Sequence, residues 1–169
     1  MTPTSITLHP WADDDLALLH MTLGNATMMK HLGGVETPEQ ITARHQRYLR
    51  GSGGGGMFTI RIDGGAVIAG SIGFWDRAWQ GEDVYEAGWM VLAQYAGRGI
   101  ATAGARTIIR YAKAEGRHRF VHAYPSVENQ ASNAVCRSAG FTNLGACMFE
   151  YPKGRFMQCA DWCVNLRGD

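Results

Sequence analysis

At 169 residues, with 46% apolar and 18% charged residues, the chain suits one folded domain (residues 1–169) and not a disordered or fibrous protein. Its formal net charge of +1 gives no argument for a nucleic-acid or anionic-membrane partner, and no run is apolar enough to span a bilayer. Met1–Pro10 is too poor in apolar residues for a signal peptide, which predicts a cytoplasmic protein whose cysteines (Cys136, Cys147, Cys159 and Cys163) are reduced thiols without zinc spacing.

In chain order, Ser5–His9 alternates like a short first strand. Pro10 and Trp11 turn it, and Asp13-Asp14-Asp15 suits a helix start, with Leu16, Leu19 and Leu23 at helical spacing behind it. Met28, Met29 and Leu32 predict a short second helical piece stopped by Gly33-Gly34. Thr37-Pro38-Glu39-Gln40 is a helix start with Thr37 as cap and Gln40 closing a capping box. Gly51–Gly56 reads as a surface loop. Two strands follow, Met57–Ile62 and Ala66–Trp75, joined through Asp63-Gly64-Gly65. Asp76–Asp83 reads as a polar loop carrying Trp79, and Val84–Leu92 as the next strand.

From Arg98 to Glu115 a helix places Ala101, Ala105, Ile108, Ile109 and Ala112 on one side. Phe120–Tyr124 is a short strand ended by Pro125. Glu128–Ala139 reads as a helix closed by Gly140, with Ala131, Ala134 and Val135 facing inward. Phe141–Glu150 and Phe156–Leu166 form a final antiparallel hairpin. This order predicts an α+β fold with a mixed, mostly antiparallel sheet of six to seven strands flanked by helices.

The chemistry concentrates at Trp89–Thr102, where an apolar strand breaks at Gly97-Arg98-Gly99 and runs at once into a helix. Backbone N–H groups with no Cβ in the way, at the positive end of a helix dipole, make an anion site. A P-loop would need a lysine and a serine or threonine after the second glycine, and neither is there. A dinucleotide fingerprint would need a small residue where Thr102 stands, within a strand–helix–strand unit. The pattern Gln/Arg-x-x-Gly-x-Gly/Ala is met in full by Gln94-Tyr95-Ala96-Gly97-Arg98-Gly99.

With that turn, Tyr85-Glu86-Ala87-Gly88-Trp89 upstream and Asn129-Gln130-Ala131-Ser132 followed by Gly140-Phe141 downstream, the chain resembles the GNAT acyl-CoA N-acyltransferases. The opening Leu8–Leu19 and the closing Asp161-Trp162 resemble the branch of ribosomal-protein alanine N-acetyltransferases. The resemblance implies a GNAT-like fold, acetyl-CoA as co-substrate with no metal, and transfer of an acetyl group to the primary amine of a protein N-terminus or a small molecule. A non-catalytic acyl-CoA-binding module is the alternative, and a homodimer is compatible with either.

Residue by residue, the resemblance implies that the N–H groups of Gly97, Arg98, Gly99, Ile100, Ala101 and Thr102, beside Gln94, take the cofactor's pyrophosphate. Met90, Val91 and Leu92 would offer backbone groups to the pantetheine arm, and Asn129 would reach the same arm or cap its helix. An Arg98 side chain on phosphate and a solvated Arg98 are equally compatible. Glu86 is the candidate base or ammonium holder, against an ordinary strand glutamate. Cys136 stands where many relatives have the proton-donating tyrosine, and Ser132 matches the donor of the ribosomal-protein branch; either, or a water, could serve. Trp75, Trp79, Tyr85 and Tyr124 are candidates for an amine pocket, against plain core packing.

Overall fold

The structure is a computed structural model that describes residues 4–51 and 53–168. Its seven strands form one sheet in the order β1-β2-β3-β4-β5-β7-β6. The strands are β1 (Thr7–Pro10), β2 (Gly55–Ile62), β3 (Val67–Trp79), β4 (Glu82–Val91), β5 (Phe120–Ala123), β6 (Thr142–Glu150) and β7 (Phe156–Asn165). Every neighbouring pair is antiparallel except β4 and β5, which run parallel. The α+β fold expected from the order of elements is the one adopted.

Helices cover both faces of the sheet. On one face α3 (Ile100–Glu115) and α4 (Gln130–Ala139) pack over a core that includes Ile60, Ile72, Phe74, Tyr85, Ile108, Val121 and Trp162. On the other, α1 (Leu16–Leu23) and α2 (Pro38–Arg50) bury Leu18, Leu19, Leu23, Met29 and Ile41 against Trp11 and Leu92. Strand alternation decides which β4 side chain belongs to which layer: Tyr85 and Ala87 lie in the first core, and Met90 packs against the second. The helix α2 starts as its sequence predicts, with Thr37 accepting from the Gln40 N–H and Gln40 accepting from the Thr37 N–H.

Several local expectations are overturned. Asp76–Asp83 is not a loop, because β3 continues to Trp79 and β4 begins at Glu82 across the two-residue turn Gln80-Gly81. Both turn residues have positive φ, +50° and +82°, as a twisted hairpin requires. The alternation Trp75-Arg77-Trp79 is the strand signal that the polar residues between them masked. Met28–Leu32 forms turns and no helix, since the Asn25 side chain accepts from the Thr27 and Met28 N–H groups and folds the backbone locally.

The glycine stretch after α2 is held rather than loose over its described residues. Gly54 N–H donates to Asp76 and Gly55 N–H to Glu115, and Gly55 already belongs to β2. Residue 52 lies outside the described residues. Helix α4 turns Cys136 and Ala139 inward and leaves Ala131 and Ala134 exposed, so its predicted inner face is rotated. Arg117 and His118, on the turn after α3, both pair with Asp76 on β3.

Candidate active site

Strands β4 and β5 touch only at Tyr85↔Val121 and Glu86↔His122. Past that point β5 and the chain after it stay with β7: Ala160 N–H donates to the Pro125 carbonyl at 2.9 Å, and Ser126 bridges to Cys159. Strand β4 instead stays with β3 as far as Gly70↔Val91. The sheet therefore splits, and β4 from Ala87 onward has one edge without a partner strand.

In an antiparallel pair, residues bonded to the neighbour alternate with residues whose N–H and C=O point to the other edge. Leu92 donates to the Ala69 carbonyl at 2.8 Å, which turns Met90 and Gly88 toward β3 in step with it. Ala87, Trp89 and Val91 are left to face the split. Of the three residues predicted to meet a pantetheine arm, Val91 lies on the open edge. Met90 points its backbone the other way, and Leu92 has both groups in use, its carbonyl accepting from Tyr95 N–H at 2.9 Å. Ala87 and Trp89, not singled out in the sequence, present their backbone groups to the same open edge as Val91.

The open edge leads into the glycine turn. Gly97 and Gly99 hold φ of +74° and +75°, a conformation that other residues adopt only with strain, and an added Cβ at either would meet nothing within 4 Å. Gly99 is the N-cap of α3 and supplies no side-chain cap; the helical ladder begins with Ala103 N–H donating to the Gly99 carbonyl at 3.0 Å. Among the described residues no protein group takes the N–H groups of Gly97, Arg98, Gly99, Ile100, Ala101 or Thr102. Six donors thus stand without a protein partner at the positive end of a 16-residue helix. Arg98 is exposed, its guanidinium 5.7 Å from the centre of the Tyr95 ring. A cleft of about 370 Å³ beside the turn is lined by Met21, Met28, Leu92 and Gln94, among others.

On the α1–α2 side of the split stands Glu86. Its Oε2 accepts from Trp75 Nε1 at 3.1 Å and from an Arg77 terminal nitrogen at 2.9 Å. Burial raises its pKa above the ordinary carboxylate value, against the opposing pull of Arg77 and the two hydrogen bonds. The Trp75 indole packs over Gly88, where a Cβ would fall 2.9 Å from the ring. Asp161 on β7 accepts from Trp79 Nε1 at 3.0 Å and pairs with His122 Nδ1 at 2.6 Å. Burial alone would lower the His122 pKa, yet the bonds to Asp161 and Cys163 carry it up to about 9.

Tyr124 completes this cluster, stacked 4.5 Å from Phe149 and 4.6 Å from Trp79. Its hydroxyl is buried with no partner, and burial together with the Asp161 and Glu86 charges keeps it protonated. Trp75, Trp79 and Tyr124 are thus all on the Glu86 face of the sheet. Tyr85 is not, since strand alternation turns it to the opposite face, where it is fully buried, donates to Glu115 and accepts from Arg117 N–H.

Asn129 caps α4, its Oδ1 accepting from Ser132 N–H at 3.1 Å. Ser132 is half-buried, and its hydroxyl bonds to nothing among the described residues. Cys136 is wholly buried in the core, and burial pushes its thiol up to about 12. None of its surface is open to solvent, in contrast to the half-buried Ser132. His122, Asp161, Arg77 and Phe149 were missed: they come from four strands, and no spacing links them. Among the described residues no group of three metal-ligating side chains gathers.

Residues 5–142 match the acetyltransferase (GNAT) domain family model. No curated protein matches the chain significantly. Among solved structures, a GNAT-family acetyltransferase from Bacillus anthracis aligns with a TM-score of 0.80 at 20% identity, covering 99% of this chain and 98% of that one. Spermidine N-acetyltransferase from Vibrio cholerae, with CoA and spermine bound, aligns at 0.77 and 14% identity over 96% of each chain. A Salmonella typhimurium acetyltransferase that modifies the N-terminal serine of ribosomal protein L7/L12 aligns at 0.75 and 21% identity, over 98% of this chain and 96% of that one. The family match spans most of the chain: the chain belongs to the GNAT acetyltransferase family.

Proposed function

We propose that the chain is an acetyl-CoA-dependent N-acetyltransferase that acetylates a primary amine by direct attack in a ternary complex. The observation that carries this reading is the meeting, on one strand, of an open backbone edge running into six free N–H groups and a buried carboxylate beside it. The N–H groups of Gly97–Thr102 would hold the pyrophosphate, with Gln94 and Arg98 at its side. Ala87, Trp89 and Val91 would pair with the amides of the pantetheine arm as an added strand does, and the Asn129 amide nitrogen is free to join them. Acetyl-CoA supplies an acetyl group already activated as a thioester.

The acceptor arrives as an ammonium and must lose a proton before its nitrogen lone pair can attack. Glu86, whose raised pKa makes it a stronger base than an ordinary carboxylate, takes that proton directly or through a water. As the new C–N bond forms the C–S bond breaks, and the leaving thiolate needs a proton. The free Ser132 hydroxyl is one source, and a water in the split is the other. Use of acetyl-CoA, with four free thiols, fits a cytoplasmic enzyme.

The test is release of CoA thiol from acetyl-CoA in the presence of a panel of amines. The proposal expects thiol release that depends on amine and matches acetylated product one to one. A non-catalytic module would bind CoA, raising its melting temperature, and release no thiol above background.

A further inference from the structure

Among the described residues, every carboxylate side chain that is not exposed has a cation beside it. Asp15 faces Arg61 at 3.9 Å, Glu36 is bonded to Arg44, Glu86 lies 2.9 Å from Arg77, and Asp161 lies 2.6 Å from His122. The buried part of the Glu86 face therefore holds two neutralised pairs and no surplus negative charge. A polyamine brings several ammonium groups, and each one buried without a carboxylate of its own is strongly disfavoured. The face is matched to an acceptor with a single ammonium.

It is also matched to something beside that ammonium. Arg77 has five N–H donors, and among the described residues one is used, by Glu86 Oε2. Its Nε is buried with no partner, while the side chain as a whole keeps 29% of its surface exposed. The guanidinium is held in place 4.3 Å from the centre of the Phe149 ring and 5.7 Å from that of Tyr124. Glu86 Oε1, for its part, accepts no hydrogen bond among the described residues. Because the two side chains share one hydrogen bond, this open oxygen and the unused guanidinium donors are neighbours.

A free acceptor oxygen next to fixed, charged donors is complementary to an amine with a carbonyl or carboxylate oxygen on the adjacent carbon. Building on the N-acetyltransferase reading, we propose that Arg77 selects the acceptor by that oxygen while Glu86 holds the ammonium. The substrate class is then the α-amino-acyl group, supplied by a free amino acid or by a chain N-terminus. A plain alkylamine would leave the accessible unused donors of the Arg77 guanidinium without a partner, and a polyamine would in addition leave ammonium groups without carboxylates.

The experiment compares kcat/KM for glycine, glycinamide, a tripeptide, propylamine and spermidine, each corrected to its unprotonated amine fraction. Wild type should prefer the best α-amino-acyl acceptor over propylamine by about 10- to 100-fold, the range of one hydrogen bond to a charged group. Arg77→Met should collapse that ratio to within about threefold, the worth of a few tenths of one such bond. Arg77→Lys keeps a charge for Glu86 and therefore the fold, checked by melting temperature, but lacks the planar fork; it should lose most of the ratio through KM. Glycine ahead of the tripeptide identifies the free amino acid as the source, and the reverse order identifies a chain N-terminus. Spermidine or propylamine equalling the α-amino-acyl acceptors in wild type, or a ratio untouched in both variants, overturns the proposal while leaving acetyl transfer itself standing. No turnover with any amine overturns both.

Discussion

The open edge of β4 and the face that carries Glu86 are centred within a few residues of each other, yet they are built from different parts. The edge and the turn beyond it work through backbone: Ala87, Trp89, Val91 and the N–H groups of Gly97–Thr102, with side chains either absent or turned away. The Glu86 face works through side chains from β3, β4, β5, β6 and β7, each fixed by another: Trp75 and Arg77 on Glu86, Trp79 and His122 on Asp161, Phe149 on Tyr124. A backbone site recognises what every relative must bind, since amides and phosphates read the same N–H and C=O groups whatever side chains surround them. A side-chain site can be changed one residue at a time, which suits it to discriminating among acceptors.

If the division holds, damage on one side should spare the other. Glu86→Gln keeps the shape and can still accept from Trp75 and Arg77, but it can neither hold an ammonium nor take its proton. We expect kcat to fall about 100- to 10,000-fold with CoA affinity, measured by calorimetry, unchanged. Wild-type activity should also decline as pH drops through the raised pKa of Glu86, whereas the variant's profile should keep only the limb that belongs to the acceptor's own amine. A wild-type rate and profile in the variant would make Glu86 a structural residue.

The converse change is Gly99→Val. Nothing in the protein lies within 4 Å of the new Cβ, so the chain should fold, at a cost of about 1–2 kcal/mol for a left-handed β-branched residue. The turn would re-aim its N–H groups, and CoA affinity should fall about 100-fold, the worth of one to two charge-assisted hydrogen bonds. Retained affinity would remove the turn from the cofactor site.

The smallest effect separates structure from chemistry on the Glu86 face. The folded pKa of His122, about 9, lies above its ordinary 6.5, so the stability supplied by the His122–Asp161 pair is full below pH 6.5 and lost as pH rises toward 9. Denaturant titrations should show up to about 2–3 kcal/mol of this loss in wild type. His122→Gln should flatten the slope over that window. An unchanged slope would mean that the pair does not hold a proton.

What the sequence disclosed follows the same division. Gly97 and Gly99 are legible because a left-handed backbone followed by an uncapped helix demands glycine, and all the residues involved are contiguous. The Thr37–Gln40 capping box and the Asp63-Gly64-Gly65 connection are legible for the same reason: their physics is local. The Glu86 face is not local. His122 and Asp161 are 39 residues apart and Trp79 and Asp161 are 82 apart, and each residue taken alone reads as core or surface. The hairpin at 76–83 was hidden by acidic residues on its outward face. Tyr85 and Glu86 are adjacent in a strand, so alternation alone keeps them from lining the same pocket.

The central claim is that acetyl-CoA lies along the open edge of β4 and ends on the turn before α3. Amide hydrogen exchange with and without CoA tests it at the groups concerned. The account predicts added protection at Ala87, Trp89, Val91 and Gly97–Thr102, with little change at Met90 and Leu92, whose N–H groups already face β3. Protection confined to other segments, or equal at Met90 and Val91, would contradict it.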